Sequence, residues 1–240
     1  MSDHKAMAGI RDVLSYLAQV AIVLSAASLA PCFDDKDTPQ VLTTRQPTLT
    51  SVFPMGITVG QSAEVEIPGE YLDGIVSLVS NCTGVTWAIL EASPIVLKVQ
   101  VQTSSDARPG PCFVRAHGAR GQSNRLLFRV TAWPTATEQE PNDFQEDAGK
   151  IQVPSIVHGR LSRINDSDFF RLEAIKGQRQ VFSLLNARNG LNGHLALTLL
   201  DAHGKEIAHN HYGVGPDPSL DHTFEESGTF LLVVTSRRSG

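Results

Sequence analysis

Three cysteines, two tryptophans and three tyrosines are all that the 240 residues contain of those types. Charge is sparse as well: 19% of residues carry one, and the balance is −5. A weakly acidic chain has no basic field to attract a phosphate backbone, which excludes nucleic acid as a partner. No Cys-x-x-Cys occurs, so a thiolate zinc site has no support. Gly-x-Ser-x-Gly, His-Glu-x-x-His and a Gly-Lys-Ser/Thr phosphate loop are also missing. Ser, His and Asp are plentiful, but nothing in their spacing marks a triad, and the chain reads as non-enzymatic. Beyond residue 31 no stretch keeps a helical period for three turns, which excludes a helical bundle.

Apolar residues make up 41%, enough for a real core. Nineteen glycines and 13 prolines are spread along the chain, as many short strands joined by turns require. The N-terminus stands apart. Lys5 and Arg11 precede Val13–Ala30, a stretch without charge that is rich in Leu, Val, Ile and Ala. Small residues close it. Residues 1–31 therefore read as a secretory signal, as an uncleaved membrane anchor just long enough to span, or as a buried helix. Arg11 would keep the N-terminus inside and send the rest outward. Cys32 follows Leu29-Ala30-Pro31, close to a lipoprotein signal except for the proline; the other reading is an incidental Cys.

Residues 32–46 are polar and read as a linker. From residue 47 to 132 alternation dominates. Ala63, Val65 and Ile67 alternate with Glu64 and Glu66; Leu97, Val99 and Val101 alternate with Lys98, Gln100 and Gln102. Period-two patterns place one set inside and the other outside, as in a sandwich sheet. Residues 133–137 read as a second linker. Glu138–Asp143 is too polar for a strand, and strands resume at Phe169–Ala174, Gln180–Asn186, His194–Leu200, Lys205–Ala208 and Thr229–Thr235. The sequence predicts an all-β protein of two tandem β-sandwiches, 47–132 and 138–240, with helix only before residue 31. Cys82 and Cys112 fall in the first. In an oxidising compartment they would form a disulfide worth roughly 3 kcal/mol by loop entropy; the alternative is two buried thiols.

The second half resembles the bacterial pre-peptidase C-terminal (PPC) domain. The resemblance rests on Glu138-Gln139-Glu140-Pro141-Asn142-Asp143, Ile156-Val157-His158-Gly159 and Asp166-Ser167-Asp168-Phe169-Phe170. Lys176-Gly177-Gln178, Leu199-Leu200-Asp201 with Gly204, Asp217-Pro218-Ser219-Leu220 and Gly228–Val233 continue it. The first half is similar to the immunoglobulin-like (IPT/TIG-like) segments that precede such domains. Its carriers are Pro47–Pro54, Gly60-Gln61, Leu72-Asp73-Gly74, Arg108-Pro109-Gly110 and Gly121–Asn124. That order is similar to exported surface proteins of planctomycete type. What it implies is a jelly-roll-like accessory sandwich that helps in export, folding or substrate attachment.

The acidic run offers the best site. Glu138, Glu140, Asn142 and Asp143 put hard oxygen ligands within six residues, and Asp166 and Asp168 add an Asp-x-Asp before a strand. Calcium takes six to eight such oxygens. The resemblance implies calcium ligation by Glu138, Glu140, Asn142, Asp143 and one or both of Asp166 and Asp168. The alternative is a solvated linker with a capping Asn-Asp. His209 and His211 would share a strand face and could hold zinc or copper, with His203 and His222 as possible further ligands though no third ligand stands close in sequence; exposed loop histidines are the plainer reading. Asn81-Cys82-Thr83 and Asn165-Asp166-Ser167 have the form of glycosylation sequons by chance. The functional expectation is a non-catalytic module exported to the periplasm or cell surface, or secreted. It would bind extracellular protein or polysaccharide and touch a membrane only through its N-terminal segment. The alternative is an accessory fragment of a secreted peptidase.

Overall fold

In the computed structural model, described residues are 45–161, 166–190, 194–211 and 217–237. Every element among them is a β-strand except two three-residue 3-10 turns, Gln145–Asp147 and Ala187–Asn189. The all-β class that the alternation predicts is thus the class observed. The predicted signal or anchor, Cys32 and nearly all of the 32–46 linker lie outside the described residues. Among the described residues no helix is long and apolar enough to cross a membrane.

Residues 48–131 hold β1 (Thr48–Leu49), β2 (Gly56–Thr58), β3 (Ser62–Glu70), β4 (Ile75–Ser80), β5 (Val85–Ala92), β6 (Val96–Thr103), β7 (Gly110–Gly118), β8 (Gly121–Gln122) and β9 (Leu126–Thr131). They form two sheets, ordered β1-β3-β6-β5 and β2-β9-β7-β4, with β8 on β7. The alternation explains what joins them. Val65, Ile67, Leu97, Val99 and Val101 point inward from the first sheet, while Cys112, Val114, Ala116 and Phe128 do so from the second. Each such side chain contributes about 1.5–3 kcal/mol by leaving water. Trp87 sets its edge on Phe128, with ring centroids 5.0 Å apart at 70°.

A disulfide joins Cys82, just past β4, to Cys112 in β7, with Cα atoms 5.5 Å apart. β4 and β7 are neighbours in one sheet, so the link ties the β4–β5 connection to its own sheet. Gly84, in that connection, has φ +76°, and a Cβ there would run into Ser104 and Ala107, so no other residue fits without strain. Replacing both cysteines with alanine is expected to cost about 3 kcal/mol in urea unfolding under oxidising conditions. With a reductant present the difference should vanish.

The second group comprises β10 (Thr135–Thr137), β11 (Gly149–Lys150), β12 (Ile156–His158), β13 (Ser167–Ala174), β14 (Arg179–Ser183), β15 (His194–Asp201), β16 (Glu206–Asn210), β17 (Ser219–Thr223) and β18 (Gly228–Arg237). A five-stranded sheet, β11-β13-β18-β15-β16, packs against the β14–β17 pair. Phe170, Leu172, Leu197, Leu199, Leu232 and Val234 meet Phe182, Leu220 and Phe224 in a second, separate core.

One expectation is corrected. Residues 133–137 were expected to be a linker, but Thr135–Thr137 is a strand paired in parallel with β12. Two β-branched threonines favour extended backbone. The Ile156 and Glu138 amides donate to the Pro134 and His158 carbonyls, both at 2.9 Å, and complete the ladder. β17, too, is a strand where the sequence offered only a polar stretch.

Candidate functional site

The site is built by β13 and by the segment between β10 and the 3-10 turn at Gln145. Burial alternates along β13: Asp168, Phe170, Leu172 and Ala174 are buried, while Phe169 and Arg171 are less so. Asp168 therefore occupies a core-facing position, only 3% exposed, where a leucine would be at home. Phe169 N–H donates to the Asn142 carbonyl at 2.8 Å, which holds the acidic segment beside the strand.

Carboxylate oxygens of Glu138, Glu140 and Asp168 converge so that one atom from each lies within 4.8 Å of the others. Asn142, 1% exposed, joins them: its Nδ2 donates to Glu138 Oε2 at 3.4 Å, and its backbone N–H donates to Glu140 Oε2 at 3.1 Å. Two oxygens in this cluster, Asn142 Oδ1 and Asp168 Oδ1, are buried and accept no hydrogen bond. Such atoms are costly in a protein interior. Burial and then the neighbouring Glu138 push the Asp168 carboxyl up to about 8. Glu138 is also raised, chiefly by burial. A group of this kind has two ways to relieve itself: it takes up protons, or it closes on a hard cation.

The other predicted ligands behave differently. Asp143 and Asp166 fall outside the converging trio. Asp166 is buried, accepts from the Ser167 amide at 3.2 Å, and uses its backbone carbonyl to take the Ser236 N–H at 3.1 Å. It anchors β13 to β18. His209 and His211 have ring centroids 5.3 Å apart, but His209 Nδ1 is hydrogen-bonded to Thr198 Oγ1 at 2.7 Å, and no third metal ligand joins them among the described residues.

Sequence reasoning missed Arg160. Its backbone N–H donates to Glu138 Oε1, while its side chain leaves the site for the first sandwich. There the guanidinium lies over the Phe53 ring, 3.8 Å from the centroid, and Nη2 reaches Glu66 Oε2 at 3.2 Å. A Cβ at the preceding Gly159 would meet the Glu138 carboxylate, so a side chain there would have to push that carboxylate aside. Around the same joint Thr58 Oγ1 donates to the Trp133 carbonyl at 3.0 Å, and Arg129 Nε donates to Asn189 Oδ1 at 2.9 Å. His158 is bonded to the Gly56 backbone, and burial holds its imidazole down to about 4. The acidic site thus connects through one residue to the joint between sandwiches. Arg160→Ala is expected to cost about 1 kcal/mol, mostly from the cation–π contact, since the half-exposed ion pair contributes little. Thermal melts in low and high salt should show the same loss.

No protein-family model matches the chain, and no curated protein matches it either. Among solved structures it is similar to the BIgI domain of beta protein from S. agalactiae bound to CEACAM1, at 15% identity over 36% of this chain and 95% of that one, with TM-score 0.24. It is also similar to SGBP-B of a Bacteroides ovatus mixed-linkage glucan utilization locus, at 8% identity over 79% and 74%, TM-score 0.29. The Yersinia pseudotuberculosis adhesin InvE matches at 9% over 80% and 51%, TM-score 0.29. At such identities and TM-scores these likenesses carry no conclusion about what this chain binds.

Proposed function

We propose that the chain is a non-catalytic, exported surface module of the PPC type preceded by an immunoglobulin-like sandwich. It binds extracellular protein or polysaccharide and is set in place by calcium at the entry to its second half. The observation that carries this reading is the pair of buried, unpartnered oxygens, Asn142 Oδ1 and Asp168 Oδ1, beside the carboxylates of Glu138 and Glu140. Hard, uncharged and anionic oxygens from one short segment and one strand are the donor set that calcium prefers. Glu138, Glu140, Asn142 and Asp168 would hold the ion, and water or backbone carbonyls would complete the shell. Through Glu138 and Arg160, a bound cation would stiffen the joint with the first sandwich.

The test is a melting curve of the intact chain with millimolar calcium and then with excess chelator, alongside calorimetric titration. A ligand that binds only the folded state adds about 2.7 kcal/mol at a hundredfold excess over Kd. Equal midpoints with no heat of binding would sink the calcium reading. Turnover of generic peptide, ester or glycoside substrates would overturn the non-catalytic one.

A further inference from the structure

The two sheets of the first sandwich carry opposite charge. Strands β1, β3, β5 and β6 bear Glu64, Glu66, Glu70 and Glu91 against a single cation, Lys98. Strands β2, β4, β7, β8 and β9 bear no acid, while Arg115 lies on β7, Arg129 on β9 and Arg125 just before β9. Four arginines elsewhere are neutralised: Arg120, Arg160, Arg179 and Arg188 each meet a carboxylate. The three on this sheet meet only neutral groups among the described residues. Arg115 Nη1 donates to the Ser123 carbonyl at 2.8 Å, and Arg129 Nε to Asn189 Oδ1 at 2.9 Å. The Arg125 guanidinium lies 5.4 Å from the centre of the Phe113 ring.

Alternation brings these side chains to one face. Cys112, Val114 and Ala116 are buried, so Phe113 and Arg115 face outward; Phe128 and Val130 are buried, so Leu127 and Arg129 do the same. Phe113 is paired with Leu127, and Pro111 with Arg129. Val79, 54% exposed, is paired with Arg115. The outer face is thus an apolar strip of Val79, Phe113 and Leu127, with one guanidinium at each end and a third over its middle. Four residues of strand, about 14 Å, separate Arg115 from the position opposite Arg129.

We propose that this face binds an acidic polysaccharide, a chain of uronate-type sugars lying along β7 and β9. The proposal narrows the polysaccharide reading above and rests on it for the export that brings the two together. The charges argue for the occupant. Cations about 14 Å apart stand beyond the screening length of about 8 Å at physiological salt, so the partner carries anions in series. Guanidinium forks fit planar carboxylates two bonds at a time. Between the charges the partner covers Phe113 and Val79, and sugar rings present apolar C–H faces between their carboxylates. An acidic peptide adds to a sheet by its edge or seats a side chain in a pocket, whereas these arginines stand on an open face. Nucleic acid meets the chain's balance of −5. A second copy set two-fold on this face would place arginine against arginine.

Polygalacturonate is the probe, titrated into the intact chain in a mild detergent with excess chelator, so that calcium at Glu138 takes no part. Binding should weaken as salt is raised. Arg115→Gln with Arg125→Gln should raise Kd at least about tenfold, and Phe113→Ala should raise it as well. Lys176→Gln with Lys205→Gln removes the same charge from the second half and should leave Kd unchanged. Arg125 is exposed, so Arg125→Gln alone, which should weaken binding severalfold, separates lost binding from lost folding. An arginine pair without effect, or a lysine pair equally harmful, would overturn the proposal. Tighter binding of polyglutamate through the same arginines would also overturn it, by assigning the face to an acidic peptide. So would a chain that leaves polygalacturonate unbound; if it binds neutral dextran instead, the broader polysaccharide reading stands without this one.

Discussion

Asp168→Asn should make the metal-free protein more stable at pH 8 and, at the same time, nearly insensitive to calcium. The Asp168 carboxyl titrates near 8 in the fold against 3.8 in an unfolded chain. A folded pKa above the unfolded one gives a contribution that is complete below 3.8 and is lost as pH rises through about 8. From this group metal-free stability should therefore fall as pH rises from about 4 to about 8 and level off above that. His158 works from the other direction. Its folded value near 4, against 6.5, gives a contribution present above 6.5 and lost as pH falls through 4. Between about pH 4 and 6.5 the two contributions offset each other, so stability without metal should hold level there and fall from about 6.5 to 8. Asparagine removes this fall, a gain at pH 8 of at least about 1 kcal/mol. It also removes the ligand that makes calcium stabilising. Chemical unfolding of both proteins from pH 4 to 9, with chelator and then with calcium, gives four curves. If the two chelator curves run parallel, Asp168 is not held protonated in the fold.

The second large effect belongs to the other core. Phe128→Ala should cost about 4 kcal/mol, because a fully buried ring is lost and the site is walled by two sheets that cannot close on the cavity. Trp87 loses its edge-to-face partner as well, adding about 1 kcal/mol. The two cores share no residue. Scanning calorimetry should then show Phe128→Ala lowering a transition that calcium leaves alone, while calcium raises another. If the substitution lowers the calcium-sensitive transition by the same amount, the sandwiches unfold as one cooperative unit.

Much of the fold can be read from the sequence, because burial in a sheet imposes a period of two and leaves a visible trace. Val65 and Ile67, Leu97 to Val101, and Phe128 with Val130 all follow it. β10 and β17 leave a weaker trace, since short strands of threonine, serine and aspartate resemble loops in composition. The candidate site was legible as a set of acids but not as an arrangement. Choosing Asp168 over Asp166 depends on which of the two shares a face with Phe170 and Leu172 while standing beside Glu138, and that second condition is three-dimensional. Arg160 left no local signal: its partner Glu66 is 94 positions away. Cation–π and ion-pair contacts between modules carry no period.

The strand at Thr135–Thr137 bears on where the chain can be divided. A boundary drawn at residue 138 would take the acidic segment and leave β10 behind, stripping β12 of its only pairing partner among the described residues. The orphaned strand carries Val157, which packs on the second core, and His158, whose carbonyl receives the Glu138 amide. A recombinant second half begun at 138 would thus misplace Glu138 before any metal was offered. The transplantable piece starts at Pro134, and a spacer added between 134 and 138 would shift a ladder instead of lengthening a tether.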